Sequence, residues 1–457
     1  DPDVLDTWFS SALWTHSTLG WGWDSKDIAP EHRGDLAYFY PTHVMETAYD
    51  ILFFWVARMI MMGIENLGHE PFHTIYLHGL VRDPHGMKMS KTRGNVVDPL
   101  QLIERYGTDA LRFGLLQGSS AGNDSRINEA KLEASRNFVN KLWNASRFVF
   151  TNLEGAQDLA GWPPVRAGGW HDLPQLSHRE DRWILSRLNR VAQQANGYLA
   201  AYQFGEAQQA IYEFLWGEFC DWYIEMAKIR LRAGDRAPLS VLAHVLEHTL
   251  RLLHPFTPFV TEELWQHLLA RLPSEGGLPE SIVIAPYPTG DASRFDTAAE
   301  AELDQVIQTV RAIRNARAQL RIEPARPIAA SLEAPPDVAD ALRGEADSIR
   351  ALARVEPLTI STDGGASSAD NTVTLVAGKA VVRLPLAGVV DVAAERARLS
   401  AERQECAAAL ERVEALLAKP DFASKAPEEV VERERERLAG LRERRARLEE
   451  ILAQLGG

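Results

Sequence analysis

The chain has 457 residues, 46% of them hydrophobic and 25% charged, a composition that suits roughly two to four soluble globular domains. Its 49 basic and 63 acidic side chains leave a formal net charge of -14, which excludes a uniformly basic nucleic-acid coat or a polybasic membrane binder but leaves room for a local basic groove. With Cys220 and Cys406 as its two cysteines it can build neither a disulfide framework nor a four-cysteine zinc site, and a reducing cytoplasm is the expected setting.

Taken in chain order, Asp1-Pro2-Asp3-Val4-Leu5-Asp6 matches neither a signal nor a transit peptide and reads as the middle of a longer protein. The apolar run Ile51–Gly63, interrupted by Arg58, falls short of the ~20 residues a membrane span needs and predicts a buried helix. Thr74–Val81 is rich in β-branched and aromatic residues, which predicts a buried parallel strand running into a functional loop. Residues 1–117 therefore read as α/β. Residues 118–298 change to long amphipathic helices, including Asp181–Leu199 and Ala207–Leu231, with a break at Gly161-Trp162-Pro163-Pro164, and predict a helical bundle. Residues 299–388 combine a helix, Leu303–Leu320, with strand-like runs Leu358-Thr359-Ile360 and Ala380–Leu384 and a turn near Gly364–Ser368, a small α+β unit. In residues 389–457, Val392, Leu399, Cys406 and Val413 recur every seven positions; Val431, Leu438 and Leu452 share one later register, Leu441, Leu448 and Leu455 another. A turn between Lys419 and Pro427 makes this an antiparallel coiled-coil hairpin, a pattern that serves dimerisation more often than any other purpose.

The chemistry concentrates after the predicted strand. His78-Gly79-Leu80-Val81 is followed by Lys88-Met89-Ser90-Lys91-Thr92-Arg93-Gly94-Asn95 and Val96-Val97-Asp98-Pro99. Two lysines three residues apart in a small-residue loop can bring two mobile ammonium groups onto one polyphosphate, although a K-x-x-K pair alone is commonly solvated surface charge.

With its flanks, this stretch resembles the KMSKS loop of class I aminoacyl-tRNA synthetases, with Thr92 keeping a hydroxyl where the motif ends in Ser. Asp6–Trp14 and Tyr49–Trp55 are similar to segments of the valyl-tRNA synthetase family that complete the nucleotide-binding domain. Arg136–Asn144, Cys220–Glu225 and His254–Phe259 resemble its helical anticodon-binding domain, and the terminal hairpin resembles its coiled-coil arm. The resemblance implies the second half of a Rossmann-like catalytic domain (1–117), an anticodon-binding bundle (118–298), a connecting unit (299–388) and a tRNA-binding arm (389–457). It implies ATP with Mg2+, L-valine and valine-specific tRNA as ligands, a monomeric full-length enzyme, and no membrane or protein-bound zinc. Lys88 and Lys91 would be catalytic. His78, Gly79, Leu80, Val81, Met89, Ser90 and Asp50 would join Lys91 at ATP, and Trp8 and Ile51 would line the valine pocket, positions that would otherwise read as core packing. Ala48 stands where the family carries Gly two residues before Asp50. Trp222 and Tyr223 are candidates for stacking on anticodon bases or for core packing, and Arg442, Arg444, Arg445 and Arg447 for contact with the tRNA elbow or for pairing with neighbouring Glu. No H-x-G-H motif occurs, so the chain is expected to be the C-terminal portion of an enzyme, inactive by itself. Isoleucyl- and leucyl-type synthetases, a non-catalytic tRNA-binding module and a coiled-coil assembly factor are the rival readings.

Overall fold

The computed structural model describes residues 4–24, 26–154, 176–273, 278–362, 372–386, 389, 392–419, 422 and 428–454; of Lys91 and Val392, among others, it describes the backbone alone. The expected breaks at Gly161–Pro164, Gly364–Ser368 and most of Lys419–Pro427, and Leu455, lie outside the described residues. Two compact units divide the chain.

The first unit draws on the described residues of Asp1–Gln175, Ile184–Asp221 and Arg236–Phe295. Helix α1 (Thr7–Ser17) starts at Asp6, whose carboxylate accepts the Trp8 N–H, and α2 (Asp35–Phe39) precedes strand β1 (Thr42–Ala48). A 3-10 turn (Tyr49–Ile51) and a π turn (Leu52–Val56) lead into α3 (Ala57–Leu67), which crosses to strand β2 (Phe72–His78). The strands pair in parallel from Thr42 opposite Phe72 to Ala48 opposite His78, a βαβ unit. Val56, Met59 and Phe72 form its core.

Two expectations need correction here. The Ile51–Gly63 run buries one stripe, Val56, Met59 and Gly63, while Phe53 is 80% and Met61 68% exposed, because a helix of 3.6-residue period turns one stripe toward the strands and nothing among the described residues covers the other. The strand expected at Thr74–Val81 begins at Phe72, is mostly half-exposed and breaks at Gly79. It resumes as β3 (Val81–Arg82), paired in parallel with β4 (Ser125–Arg126).

The rest of the unit is helical. After α4 (Pro99–Tyr106) and α5 (Thr108–Leu116) come α6 (Glu129–Leu153), α7 (Arg179–Ala200) and α8 (Phe204–Glu213). A π segment (Phe214–Tyr223) runs from α8 into α9 (Ile224–Arg232), which belongs to the second unit, so the helix expected over Ala207–Leu231 is one run with a widened turn. α10 (Pro238–Leu253) is buried along its length. α11 (Pro258–Leu269) begins at the His254–Phe259 break, where the buried Asp109 of α5 accepts the Val260 N–H at 2.7 Å and the Phe259 N–H at 3.3 Å.

The second unit draws on the described residues of Leu176–Trp183, Trp222–Asp235 and Asp296–Gly457. α12 (Thr297–Gln319) and the helices α13 (Pro336–Gly344) and α14 (Ala346–Ala353) pack against a sheet ordered β6-β5-β8-β7. Its strands are β5 (Ile328–Glu333), β6 (Val355–Ser361), β7 (Thr372–Ala377) and β8 (Ala380–Pro385); β5 runs parallel to β6 and antiparallel to β8. The runs read from the sequence fall in β6 and β8. Trp222 and Tyr223 are core: Arg311 and Arg314 lie against the Trp222 ring, and the Tyr223 hydroxyl donates to Asp181 at 2.7 Å, so neither is open to a base. Helices α15 (Val392–Leu417) and α16 (Glu428–Gln454) pack together in opposite directions, Glu402 beside Arg444 and Cys406 beside Leu441. Leu399, Cys406 and Val413 are buried at the expected spacing, with Val431 and Leu448 buried on the facing helix.

One buried charge group ties this unit together. Arg230 donates to Glu180 and Asp181, both at 2.8 Å, and to Asp235 at 2.8 Å. Glu345 lies near Glu180 and accepts from the Ser348 hydroxyl at 2.9 Å; burial, and then the Glu180 charge, push its carboxyl up to about 8. The folded chain therefore keeps a proton that an unfolded Glu releases near 4.5, and stability falls as pH rises from that value to about 8. Glu345→Gln removes this titration while leaving an amide donor for Glu180. Urea unfolding between pH 5.5 and 9 should give the variant a flatter profile, with the parent losing up to about 1.4 kcal/mol per pH unit across the window. Parallel profiles would show that the proton is not held there.

Candidate active site

The end of β2 forms the frame. An ideal Cβ on Gly79 would sit 1.7 Å from the Asn123 carbonyl oxygen, so glycine is required by that crossing backbone. Beside it, Asp124 accepts the Leu80 N–H at 2.7 Å and the Tyr49 hydroxyl at 3.3 Å and pairs with Arg82, contacts that hold its carboxyl below the usual range, the Leu80 N–H first. The Leu80 carbonyl accepts from Ser125 at 3.0 Å. His78 directs Nδ1 to the Gly79 carbonyl at 2.8 Å and Nε2 to Glu46 on β1 at 3.2 Å, and Val81 is 37% exposed.

From this frame the chain enters the loop that carries the lysines. Lys88 Nζ lies 2.9 Å from Asp50 Oδ2, at the turn that follows β1, so two residues expected at one site do meet. Both groups are substantially exposed, and such a pair contributes only ~0–1 kcal/mol, weak enough to exchange for a phosphate. Ala48 has φ -69° and ψ 148°, extended backbone open to any residue. Lys91 opens a 3-10 turn, Lys91–Arg93; its side chain lies outside the described residues. Met89 and Ser90 are half-buried, and the Ser90 and Thr92 hydroxyls are 2.6 Å apart, so the hydroxyl retained at Thr92 is in use.

Trp8, on the first turn of α1, is half-buried; its ring centre is 6.2 Å from that of Phe54, with the Arg58 guanidinium 5.8 Å from the Trp8 ring. Ile51 is half-buried in the 3-10 turn. The residues to which the sequence assigns no task are those that hold the frame and the loop: Asp124, Arg82, Tyr49 and Glu46, and Asp83 and Asn95. Asp83, followed by Pro84 and Gly86, has the composition of a turn whose side chain bonds the main chain ahead of it, and that was the available signal.

On the terminal helices each of the four clustered arginines is paired: Arg442 with Glu414 at 2.7 Å, Arg445 with Glu449 at 3.6 Å, Arg444 with Glu402 and Arg447 with Glu443.

Comparison with known proteins gives three family matches. Residues 1–128 match tRNA synthetases class I (I, L, M and V), residues 181–333 the anticodon-binding domain of tRNA ligase, and residues 391–456 the valyl tRNA synthetase tRNA binding arm. A valine--tRNA ligase of Dehalococcoides mccartyi strain CBDB1 is 50% identical over 405 residues, which cover 88% of this chain and 43% of that protein. That of Symbiobacterium thermophilum is 46% identical over 421 residues, 88% of this chain and 44% of that protein. Among solved structures, a ternary LeuRS–tRNA–LeuAMS complex from Agrobacterium radiobacter K84 has a TM-score of 0.49 at 22% identity, covering 65% of this chain and 34% of that one. The chain spans less than half the length of the curated relatives it matches. The lysine loop hung on a parallel strand pair lies in the first of these matches and the helical and terminal segments in the other two, and with 50% identity to a valine--tRNA ligase over 88% of its length the chain is a member of the class I aminoacyl-tRNA synthetases, in their valine--tRNA ligase branch.

Proposed function

We propose that this chain supplies the pyrophosphate-gripping loop, the anticodon-binding bundle and the tRNA arm of an enzyme that joins L-valine to its tRNA through a valyl-adenylate. The observation that carries this reading is the Lys88–Lys91 loop set against Asp50, with Lys88 held by an exchangeable 2.9 Å ion pair. Because the chain spans 43% of a relative's length, the whole reaction is assigned to an enzyme that contains this segment. In the first step a valine carboxylate oxygen attacks the α-phosphorus of ATP and the bond to pyrophosphate breaks, so negative charge gathers on the departing group. Lys88 leaves Asp50 and, with Lys91, neutralises that charge where it develops, a stabilisation stronger in the transition state than in bound ATP. Asp50 is then free for the adenosine ribose or the valine amino group.

The Leu80 main chain already serves Asp124 and Ser125, so adenine is best received by His78, Gly79 and the exposed Val81, with Met89 and Ser90 closing over ATP. Mg2+ belongs to the ATP complex. Trp8 and Ile51 line an apolar valine pocket, which separates substrates one methylene apart by only ~1–3 kcal/mol. In the remaining assignments, residues 118–298 bind the anticodon and 299–388 connect. Residues 389–457 form a coiled-coil arm whose exposed arginines exchange Glu partners for phosphates. The enzyme acts as a cytoplasmic monomer.

The 457 residues alone should give no valine-dependent pyrophosphate exchange comparable with an intact ligase; exchange at such rates would refute the assignment to a larger enzyme. In an enzyme containing this segment, Lys88→Ala and Lys91→Ala should each lower the adenylation rate about 100-fold while changing valine affinity little. Equal losses in both quantities would remove the transition-state role. A gel shift of the 457-residue chain at low salt should favour valine tRNA over other tRNAs, and the absence of any tRNA binding would count against the bundle and arm assignments.

A further inference from the structure

We propose that Asp83 and Asn95 form a clasp that fixes the main chain at Lys88 and Ser90, making them positioning residues for the pyrophosphate chemistry; the inference rests on the function proposed above. Residues 83–95 contain a single 3-10 turn, Lys91–Arg93, and two glycines at positive φ, Gly86 at 79° and Gly94 at 69°. Apolar anchoring is poor, since Met87 and the following Val96 are 50% and 51% exposed. A loop so composed has little of its own to hold a shape.

What holds it is one carboxylate and one amide. Asp83, 6% exposed, accepts the His85 N–H at 3.0 Å and the Met87 N–H at 2.8 Å on Oδ1, and the Asn95 side-chain N–H at 2.9 Å on Oδ2. Those contacts, the Asn95 one first, hold the Asp83 carboxyl below the usual range. Asn95 Nδ2 also reaches the Lys88 carbonyl at 3.3 Å, while its Oδ1 accepts the Ser90 N–H at 2.9 Å. The Asp83 N–H donates to the Met87 carbonyl at 3.0 Å, and Arg82 and Lys88 form an antiparallel bridge.

The loop is thus two small rings, one closed by Asp83 over residues 83–87 and one by Asn95 over residues 88–95, and Lys88 stands where they meet. Its main chain is held from both sides, while its side chain is 58% exposed and free to swing from Asp50 to a phosphate. A charge that must follow a phosphate through a reaction needs that combination of fixed base and mobile tip. The residue types follow from the donor count: Asp83 must accept three N–H groups, and Asn95 must give and accept at once.

A polarity swap tests the clasp. In Asp83→Asn, whichever way the two amides turn, one N–H donor faces another; in Asn95→Asp, two carboxylates face each other. The double exchange restores a carboxylate–amide pair and still accepts the Ser90 N–H, but it gives up the 3.3 Å bond to the Lys88 carbonyl, which only an amide at 95 can donate. In an enzyme containing this segment, each single variant should lower kcat for valine-dependent pyrophosphate exchange by about 10- to 100-fold with the KM for valine nearly unchanged, and the double variant should recover part of the loss, the part that does not depend on the Lys88 carbonyl contact. On the 457-residue chain, amide hydrogen exchange at Met87 and Ser90 should quicken in each single variant and slow again in the double, with the thermal midpoint unmoved. Single variants that match the parent, a loss carried by KM, or a double variant no better than the worse single one would each overturn the proposal. A parent enzyme that fails to exchange pyrophosphate would instead refute the function, and the amide measurement would still decide whether the clasp exists.

Discussion

The candidate site depends on the place where the end of β2 passes under the Asn123–Asp124 backbone. Gly79 permits that crossing, since any Cβ would overlap the Asn123 carbonyl, and the Asp124 carboxylate then binds three neighbours within the space it opens: the Leu80 N–H, Arg82 and the Tyr49 hydroxyl. Tyr49 precedes Asp50, and Arg82 precedes Asp83, so one side chain sets the spacing between the turn after β1 and the loop that carries Lys88. A charge-assisted bond of this kind contributes about twice what a neutral one does. Losing the carboxylate would free both sides of the site together, although Asp124 belongs to neither.

How much of this could be read from the residues depends on whether the information is local. Helices α7, α12, α15 and α16 follow a 3.6- or 3.5-residue repeat within one stretch; the expected span Asp181–Leu199 agrees with Arg179–Ala200 to within two residues, and Leu303–Leu320 with Thr297–Gln319 except for six residues at its start. β6 and β8 were legible for the same reason. The strand-like runs in the sequence do not include β5 or β7. Nor was the burial of Ile51–Gly63 correct, because an apolar run states what is available to be covered and not how much of it is covered.

At the candidate site, the type and spacing of the lysines suggest a polyphosphate from the sequence alone, but the groups that hold the loop leave no such local sign. Asp124 lies 44 residues after Leu80, and Asn95 lies 12 residues after Asp83, and nothing in either local stretch announces the partner. Asn95 closes the run Lys88–Asn95, whose residue types and spacing assign it no task. A positioning residue is recognised by what it binds, and in a loop those partners are main-chain atoms, which carry no residue identity in a sequence.

The negative charge of the chain acquires a physical sense in the same terms. Arg442, Arg444, Arg445 and Arg447 are all engaged by Glu, as Lys88 is by Asp50. Exposed pairs of this kind contribute little to stability, so their effect lies in what they do to an incoming polyanion. A phosphate must displace a carboxylate to reach each cation, which lowers the affinity of any single contact and leaves appreciable binding only where several exchanges occur at once. For a protein proposed to bind one tRNA among many RNAs, this reduces adhesion to arbitrary nucleic acid more than it reduces binding to a surface that engages the loop, bundle and arm together. A net charge of -14 is then compatible with the proposed RNA binding.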